Sequence, residues 1–184
     1  MFKRYPPPSR RAVFFAREAA LDAEAAEIDA IHLLSALMRE KTSRANVILK
    51  LDERFPEEAA RIRALERVSE QKDIPLSRDS KRILVHAADE ANGLDDYWID
   101  TDHLVLGILR EPTCAAATRL DAAGLNIEAA RKQVAESSNQ RENYGSVPPL
   151  WRLAKPINRV GHTAAIMYLL LIVVLIRLLA EGAC

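Results

Sequence analysis

At 184 residues the chain has room for one domain of ordinary size and an appendage. Its 26 lysines and arginines are matched by 26 aspartates and glutamates, so no global basic field favours nucleic acid. Only Cys114 and Cys184 carry thiols, which excludes a disulfide framework and a Cys-paired metal site and favours a reducing compartment.

The opening, Met1-Phe2-Lys3-Arg4-Tyr5 followed by Pro6-Pro7-Pro8, lacks the apolar stretch of a secretory signal, so the body is expected to remain in the cytosol. The prolines begin a first helix whose inner face carries Val13, Ala16 and Ala20. A loop closes at Ile28-Asp29, where Asp29 is placed to cap a helix predicted over His32–Glu40 by accepting the backbone N–H of His32. Such a cap is worth about 1 kcal/mol. Leu33, Leu34, Leu37 and Met38 form the apolar stripe of that helix.

The pattern then returns. Ser9 to Glu40 recurs 71 residues later as Ser80 to Glu111 without a gap, and ten of the 32 positions are identical. Among them are Arg11/Arg82, Ala16/Ala87, Ile28/Ile99, Asp29/Asp100, His32/His103 and Glu40/Glu111. After a slip of one residue, Glu58-Ala59-Ala60-Arg61 aligns with Glu128-Ala129-Ala130-Arg131. In the second copy Ser77 caps a helix with Ile83, Leu84, Ala87 and Ala91 on one face. Asp100 caps another over His103–Glu111, and Pro112 stops it. Each copy reads as helix, loop, helix, short helix, helix, with no strand alternation. Neither copy buries its apolar face alone, so a pseudo-two-fold pair around a shared core is expected.

Charge shifts after the repeats. Residues 1–140 carry 21 lysines and arginines against 24 aspartates and glutamates, a net of −3. Residues 141–162 carry Arg141, Arg152, Lys155 and Arg159 against Glu142, a net of +3. Ser137–Pro156 reads as a polar, proline-containing tether. Ala164–Ile176 then holds no charge, and Thr163–Ala180 is interrupted only by Arg177. Those eighteen residues would make a helix of about 27 Å, near the ~30 Å of a bilayer core. Arg177 sits near one end, where its stem can snorkel. The basic residues before the span place the body in the cytoplasm and Glu181–Cys184 beyond the membrane. The tether argues against the other use of such a segment, a buried helix of the body.

The run Ile99-Asp100-Thr101-Asp102-His103-Leu104-Val105-Leu106-Gly107-Ile108-Leu109-Arg110-Glu111, after Arg82-x-x-x-x-Ala87-x-x-x-Ala91, resembles the Clp N-terminal repeat. The opening Met1–Tyr5, with Arg10-Arg11-Ala12-Val13, and the segment Ile74-Pro75-Leu76-Ser77 are similar to the starts of the two repeats in ClpC-type unfoldases. The resemblance covers about residues 1–136. It implies an all-α fold, a pair of four-helix repeats that docks substrates and adaptors for an AAA+ unfoldase and has no catalytic activity or cofactor. No glycine in the chain is followed by lysine, so no P-loop can be assembled within it.

The resemblance also implies contact residues. A surface where the starts of the repeats meet corresponds to Phe2, Arg10, Val13, Leu76, Lys81 and Leu84, although Val13 and Leu84 fit a core equally well. In some ClpC-type domains the residues before the histidine help hold arginine-phosphorylated substrates. The second repeat has Thr101-Asp102 there and the first has Ala30-Ile31, so such a contact is confined to one repeat. An acid at a helix N-terminus also suits the helix dipole on its own.

Sharper chemistry finds little support. His32 and His103 sit at equivalent helix starts with no ligand four residues on, which favours packing over metal or acid–base work. His86 and His162 have no partner in sequence. Asp95-Asp96 reads as a solvated loop beside Tyr97 and Trp98. Arg61, Arg63 and Arg67 are balanced by Glu57, Glu58 and Glu66 on an exposed face.

The expected organisation is a double repeat over 1–136 (about 1–68 and 74–136), a tether over 137–160 and a transmembrane helix over 161–181. The expected role is a non-enzymatic, membrane-anchored module with its body facing the cytoplasm. It would bind protein substrates or adaptors, serve a separate Clp ATPase, contact the lipid bilayer through its C-terminal helix, and bind no nucleic acid or metal. A membrane scaffold that reuses the bundle for self-association is the alternative.

Overall fold

The computed structural model describes residues 2–40, 43–55, 57, 73–137 and 144. Among them the chain is all-helical, apart from one isolated bridge between Ile28 and Leu76. The first repeat contains α1 (Pro7–Asp22), α2 (Ala30–Arg39), α3 (Ala45–Leu49) and α4 (Leu51–Arg54). The second contains α5 (Arg78–Gly93), α6 (Thr101–Leu109), α7 (Ala115–Ala122) and α8 (Ile127–Glu136). The last helix expected in the first repeat, the tether apart from Ser137 and Tyr144, and the expected membrane span lie outside the described residues. Among the described residues no helix is long and apolar enough to cross a membrane.

The helix starts follow from their caps. Asp29 and Asp100 accept the backbone N–H groups of their own N1 and N3 residues. In return the Asp29 and Asp100 N–H groups donate to His32 Nδ1 and His103 Nδ1, both at 3.0 Å. Histidine thus fills the place that glutamate or glutamine usually takes in a capping box. Because N1 directly follows the cap, α2 and α6 begin at Ala30 and Thr101, two residues earlier than expected from the sequence. They also end earlier, at Arg39 and Leu109. Ser77 caps α5 through the Ser80 N–H at 3.2 Å, whereas Pro6 gives α1 no side-chain cap.

The repeats are interlocked at their starts. The Ile28 N–H donates to the Pro75 carbonyl at 2.8 Å, and the equivalent Ile99 N–H donates to the Arg4 carbonyl at the same distance. Ser77 N–H completes the first crossing by donating to the Ile28 carbonyl at 3.1 Å. Its counterpart in the other crossing is Pro6, which has no N–H. This missing donor is why the bridge forms on one side of the pseudo-symmetry and not on the other.

Packing is reciprocal as well. α1 and α3 of the first repeat contact α6, and α5 and α7 of the second contact α2. The central α6 is buried from Thr101 to Ile108. Ala16, Ala20, Ala87 and Ala91 are fully buried, and their small side chains permit the close α1–α2 and α5–α6 approach. Gly107 takes this furthest, because a Cβ there would lie 2.5 Å from the Ile83 carbonyl oxygen.

The repeated charges form repeated ion pairs. Arg11 meets Glu40 at 2.7 Å and Arg82 meets Glu111 at 2.8 Å. Arg39 meets Glu18 at 2.7 Å, and Arg110 lies 3.6 Å from Asp89, the residue equivalent to Glu18. Glu18, Glu40 and Glu111 are all buried, so these arginines hold carboxylates that would be costly to leave alone.

Candidate functional site

Helical spacing puts residues i, i+3 and i+4 on one face. On α1 this face is Arg10, Val13 and Phe14, and on α5 it is the equivalent set Lys81, Leu84 and Val85. Arg10 and Lys81 are exposed, Val13 is half-buried and Leu84 is buried. The outermost apolar groups are therefore Phe14 and Val85, 51% and 60% exposed. Neither was singled out from sequence, although both are apolar at matching positions of the duplication. Phe2 is half-buried, with its ring edge-on to Tyr5 at a centroid distance of 5.0 Å. Arg10 Nε donates to the Tyr5 carbonyl at 2.7 Å, which ties the α1 stripe to this N-terminal segment. Leu76 is half-buried in the bridge to Ile28.

Thr101 and Asp102 are fully enclosed and their polar atoms are engaged within the chain. Thr101 Oγ1 accepts the Ala45 N–H at 3.1 Å, satisfying a first-turn donor of α3. Asp102 Oδ2 accepts Arg44 Nε at 2.8 Å and Oδ1 accepts the His103 N–H at 2.8 Å. Arg44 also donates to the Ser137 carbonyl and hydroxyl, so one side chain joins α3, α6 and the end of α8. As placed, Thr101 and Asp102 hold the repeats together and present no surface to a ligand.

His32 and His103 are also structural elements of the fold. With Nδ1 accepting the Asp100 N–H, His103 carries its proton on Nε2, which lies 3.0 Å from Asp96 Oδ2. Burial lowers the His103 pKa despite the nearby Asp102 and Asp100 carboxylates. Asp96 is thus buried against His103, which corrects the expectation of a solvated loop for Asp96, while Asp95 beside it is exposed. His32 is half-buried and its pKa is lowered by burial, opposed by Asp29. His86 Nε2 stands 3.6 Å from Glu111 Oε2. Cys114 is buried, its Sγ accepts the Ala117 N–H at 3.4 Å to cap α7, and burial raises its pKa. Among the described residues no group of three His, Cys, Asp or Glu side chains is placed to hold a metal.

Fold and surface together define a duplicated all-helical domain, with many of its polar side chains spent on capping and on joining the copies. The family model of the Clp repeat (R) N-terminal domain matches residues 5–123 and 75–164, and the chain belongs to this family. Domains of this family are protein-interaction modules of Clp ATPases. The chain is 27% identical over 150 residues to the negative regulator of genetic competence ClpC/MecB of Bacillus subtilis (79% of this chain, 18% of that protein). It is 26% identical over 147 residues to the chaperone ClpB of Oceanobacillus iheyensis (78% and 18%). It therefore spans about a fifth of the length of these relatives. The fold is similar to the N-terminal domain of ClpD from Arabidopsis thaliana (TM-score 0.55, 19% identity, covering 76% of this chain and 99% of that one). It is also similar to the N-terminal domain of the ClpV1 ATPase from E. coli EAEC (TM-score 0.55, 17% identity, 80% and 93%).

Proposed function

We propose that the chain is a membrane-anchored, non-catalytic interaction module that docks protein segments or adaptors at the cytoplasmic face for a Clp unfoldase–protease acting in trans. The observation that carries the docking reading is the pair of equivalent stripes. Each sets one exposed apolar side chain, Phe14 or Val85, one turn from a cation, Arg10 or Lys81. Single exposed apolar residues are common on protein surfaces, but a duplicated apolar-plus-cation pattern is suited to an extended peptide. The uncharged run Ala164–Ile176, with Arg152, Lys155 and Arg159 ahead of it, supports the anchor.

The test is affinity capture of the full chain from detergent-solubilised membranes, beside a Phe14→Asp/Val85→Asp variant. Recovery of a Clp ATPase subunit or its adaptor by the wild type, lost in the variant, supports the reading. Equal recovery by both, or none by either, removes it. The anchor is tested separately: deletion of 161–181 should release the protein from carbonate-washed membranes, and unchanged partitioning would refute it.

A further inference from the structure

We propose that the corner between Trp98 and Asp100 is a binding site for a tyrosine side chain of a partner segment, held in the free chain by Tyr144 of its own tether. The Tyr144 hydroxyl donates to Asp100 Oδ2 at 3.0 Å. Its ring meets Trp98 edge-on, with centroids 6.2 Å apart and planes at 79°, the arrangement of a favourable aromatic pair. Trp98 in turn stands edge-on to Tyr97 at 4.8 Å, and Arg4 lies over the Tyr97 ring at 5.6 Å. Arg4 Nε also donates to the Tyr97 carbonyl at 2.8 Å, which fixes the turn that carries Trp98.

The asymmetry of the repeats gives this contact its reason. Asp29 receives a hydroxyl from the other repeat, with Ser77 Oγ donating to its Oδ1 at 3.1 Å. The residue equivalent to Ser77 is Pro6, which has no hydroxyl to give Asp100. Ser9 Oγ reaches Asp100 only at 3.4 Å. Tyr144, 44 residues after Asp100, supplies the close donor instead. Burial and Asp102 raise the Asp100 pKa, and the Tyr144 hydroxyl is among the groups that oppose the rise. In the first repeat Glu27 stands in place of Trp98, and Glu27 and Asp29 line an open hollow of about 550 Å³. Among the described residues its walls hold no Phe, Tyr or Trp, so the tyrosine site is confined to the second repeat.

Tyr144 is half-buried and follows Ser137 by seven residues in sequence. A tether that short presents it at a roughly millimolar effective concentration. An incoming segment therefore binds in proportion to the fraction of chains in which Tyr144 has left the corner. The chemistry selects a neutral phenol. Phenylalanine brings the ring without the donor, and phosphotyrosine sets a dianion against the Asp100 carboxylate.

The partner segment rests on the docking reading, whereas the Tyr144 contact does not, and the two can fail separately. The probe is acetyl-Glu-Asn-Tyr-Gly-Ser-amide, titrated into the isotopically labelled full chain in detergent micelles. In Tyr144→Ala, shifts should centre on the Trp98 indole N–H and the amides of Asp100 and Thr101. The same peptide should bind the wild type at least about threefold more weakly, because Tyr144 competes. Phenylalanine in place of the peptide's tyrosine should weaken binding at least about tenfold, the loss of a hydrogen bond to a charged group. The phosphotyrosine peptide should give no shifts. Phe14→Asp/Val85→Asp added to Tyr144→Ala should leave the response intact, so loss of the docking stripes does not remove the site. Shifts confined to other residues, equal binding of the phenylalanine peptide, or equal affinity of wild type and Tyr144→Ala would overturn the proposal. So would a wild-type Trp98 resonance that moves on dilution, which would assign the bound Tyr144 to a second copy.

Discussion

Arg44 of the first repeat donates through Nε to Oδ2 of Asp102 in the second at 2.8 Å, and both side chains are largely withdrawn from water. The pair accounts for an asymmetry of the duplication. The second repeat needs an acid at position 102 because a cation from the first lands on it. The equivalents of the two residues are Ala115 and Ile31, which need no charge.

Breaking this pair should be expensive. Arg44→Met leaves a buried carboxylate unpaired and is expected to destabilise the protein by about 3–5 kcal/mol. Arg44→Met combined with Asp102→Leu removes both charges and should recover most of that loss. Urea denaturation of the four proteins in the double-mutant cycle checks both statements.

Gly107→Ala drives a methyl group toward the Ile83 carbonyl, 2.5 Å from the position it would take. Backbone cannot swing aside as a flexible side chain can, so a loss of about 1–3 kcal/mol is expected. The reverse change at the equivalent position, Ala36→Gly, should cost only the ~0.5–1 kcal/mol of helical glycine. Thermal unfolding of each variant discriminates them.

The pH response should carry the signature of His103. Its folded pKa lies below the usual 6.5, so the unfolded chain takes up the proton first as pH falls. Stability from this group is full above about 6.5 and declines below it. Asp100 has the opposite sign. Burial and Asp102 raise its pKa above 3.8, so its contribution is full below the unfolded value and is lost as pH rises through the folded one. Comparing wild type with His103→Asn across about pH 5–8 isolates the histidine, and the variant should show a flatter decline on the acid side.

Pro6→Ala restores the one donor missing from the second crossing. Its new N–H should bond the Ile99 carbonyl as Ser77 N–H bonds that of Ile28. The hydrogen bond adds about 0.5–1.5 kcal/mol, and loss of the proline costs about 0.4–1 kcal/mol, so net stability should change little. Hydrogen exchange reads the difference: the amide of residue 6 should be protected to a degree comparable with that of Ser77.

Much of this architecture was legible from spacing. The Asp29 and Asp100 caps, the Ser77 cap and its replacement by Pro6 involve groups within a turn of one another. The matching of Arg11 with Arg82 and of Glu40 with Glu111 announced equivalent places, though not that the members of each set bond. What stayed hidden involved residues more than a helical turn apart. Asp96 looked like a loop acid until His103 was found against it. Thr101 and Asp102 looked available until Ala45 and Arg44, more than fifty residues away, were found to occupy them.

Chain order alone was enough to settle helices, caps and the existence of two like halves, because those depend on periodicity and on hydrogen bonds between near neighbours. Which acids are spent inside, which apolar groups face water and which copy keeps an open hollow were decided only on folding. The pseudo-symmetric crossing brings position 4 to the turn at 92–97 and position 75 to its equivalent at 21–26. One arrives with an arginine and the other with a proline, so two similar halves leave the fold with different surfaces.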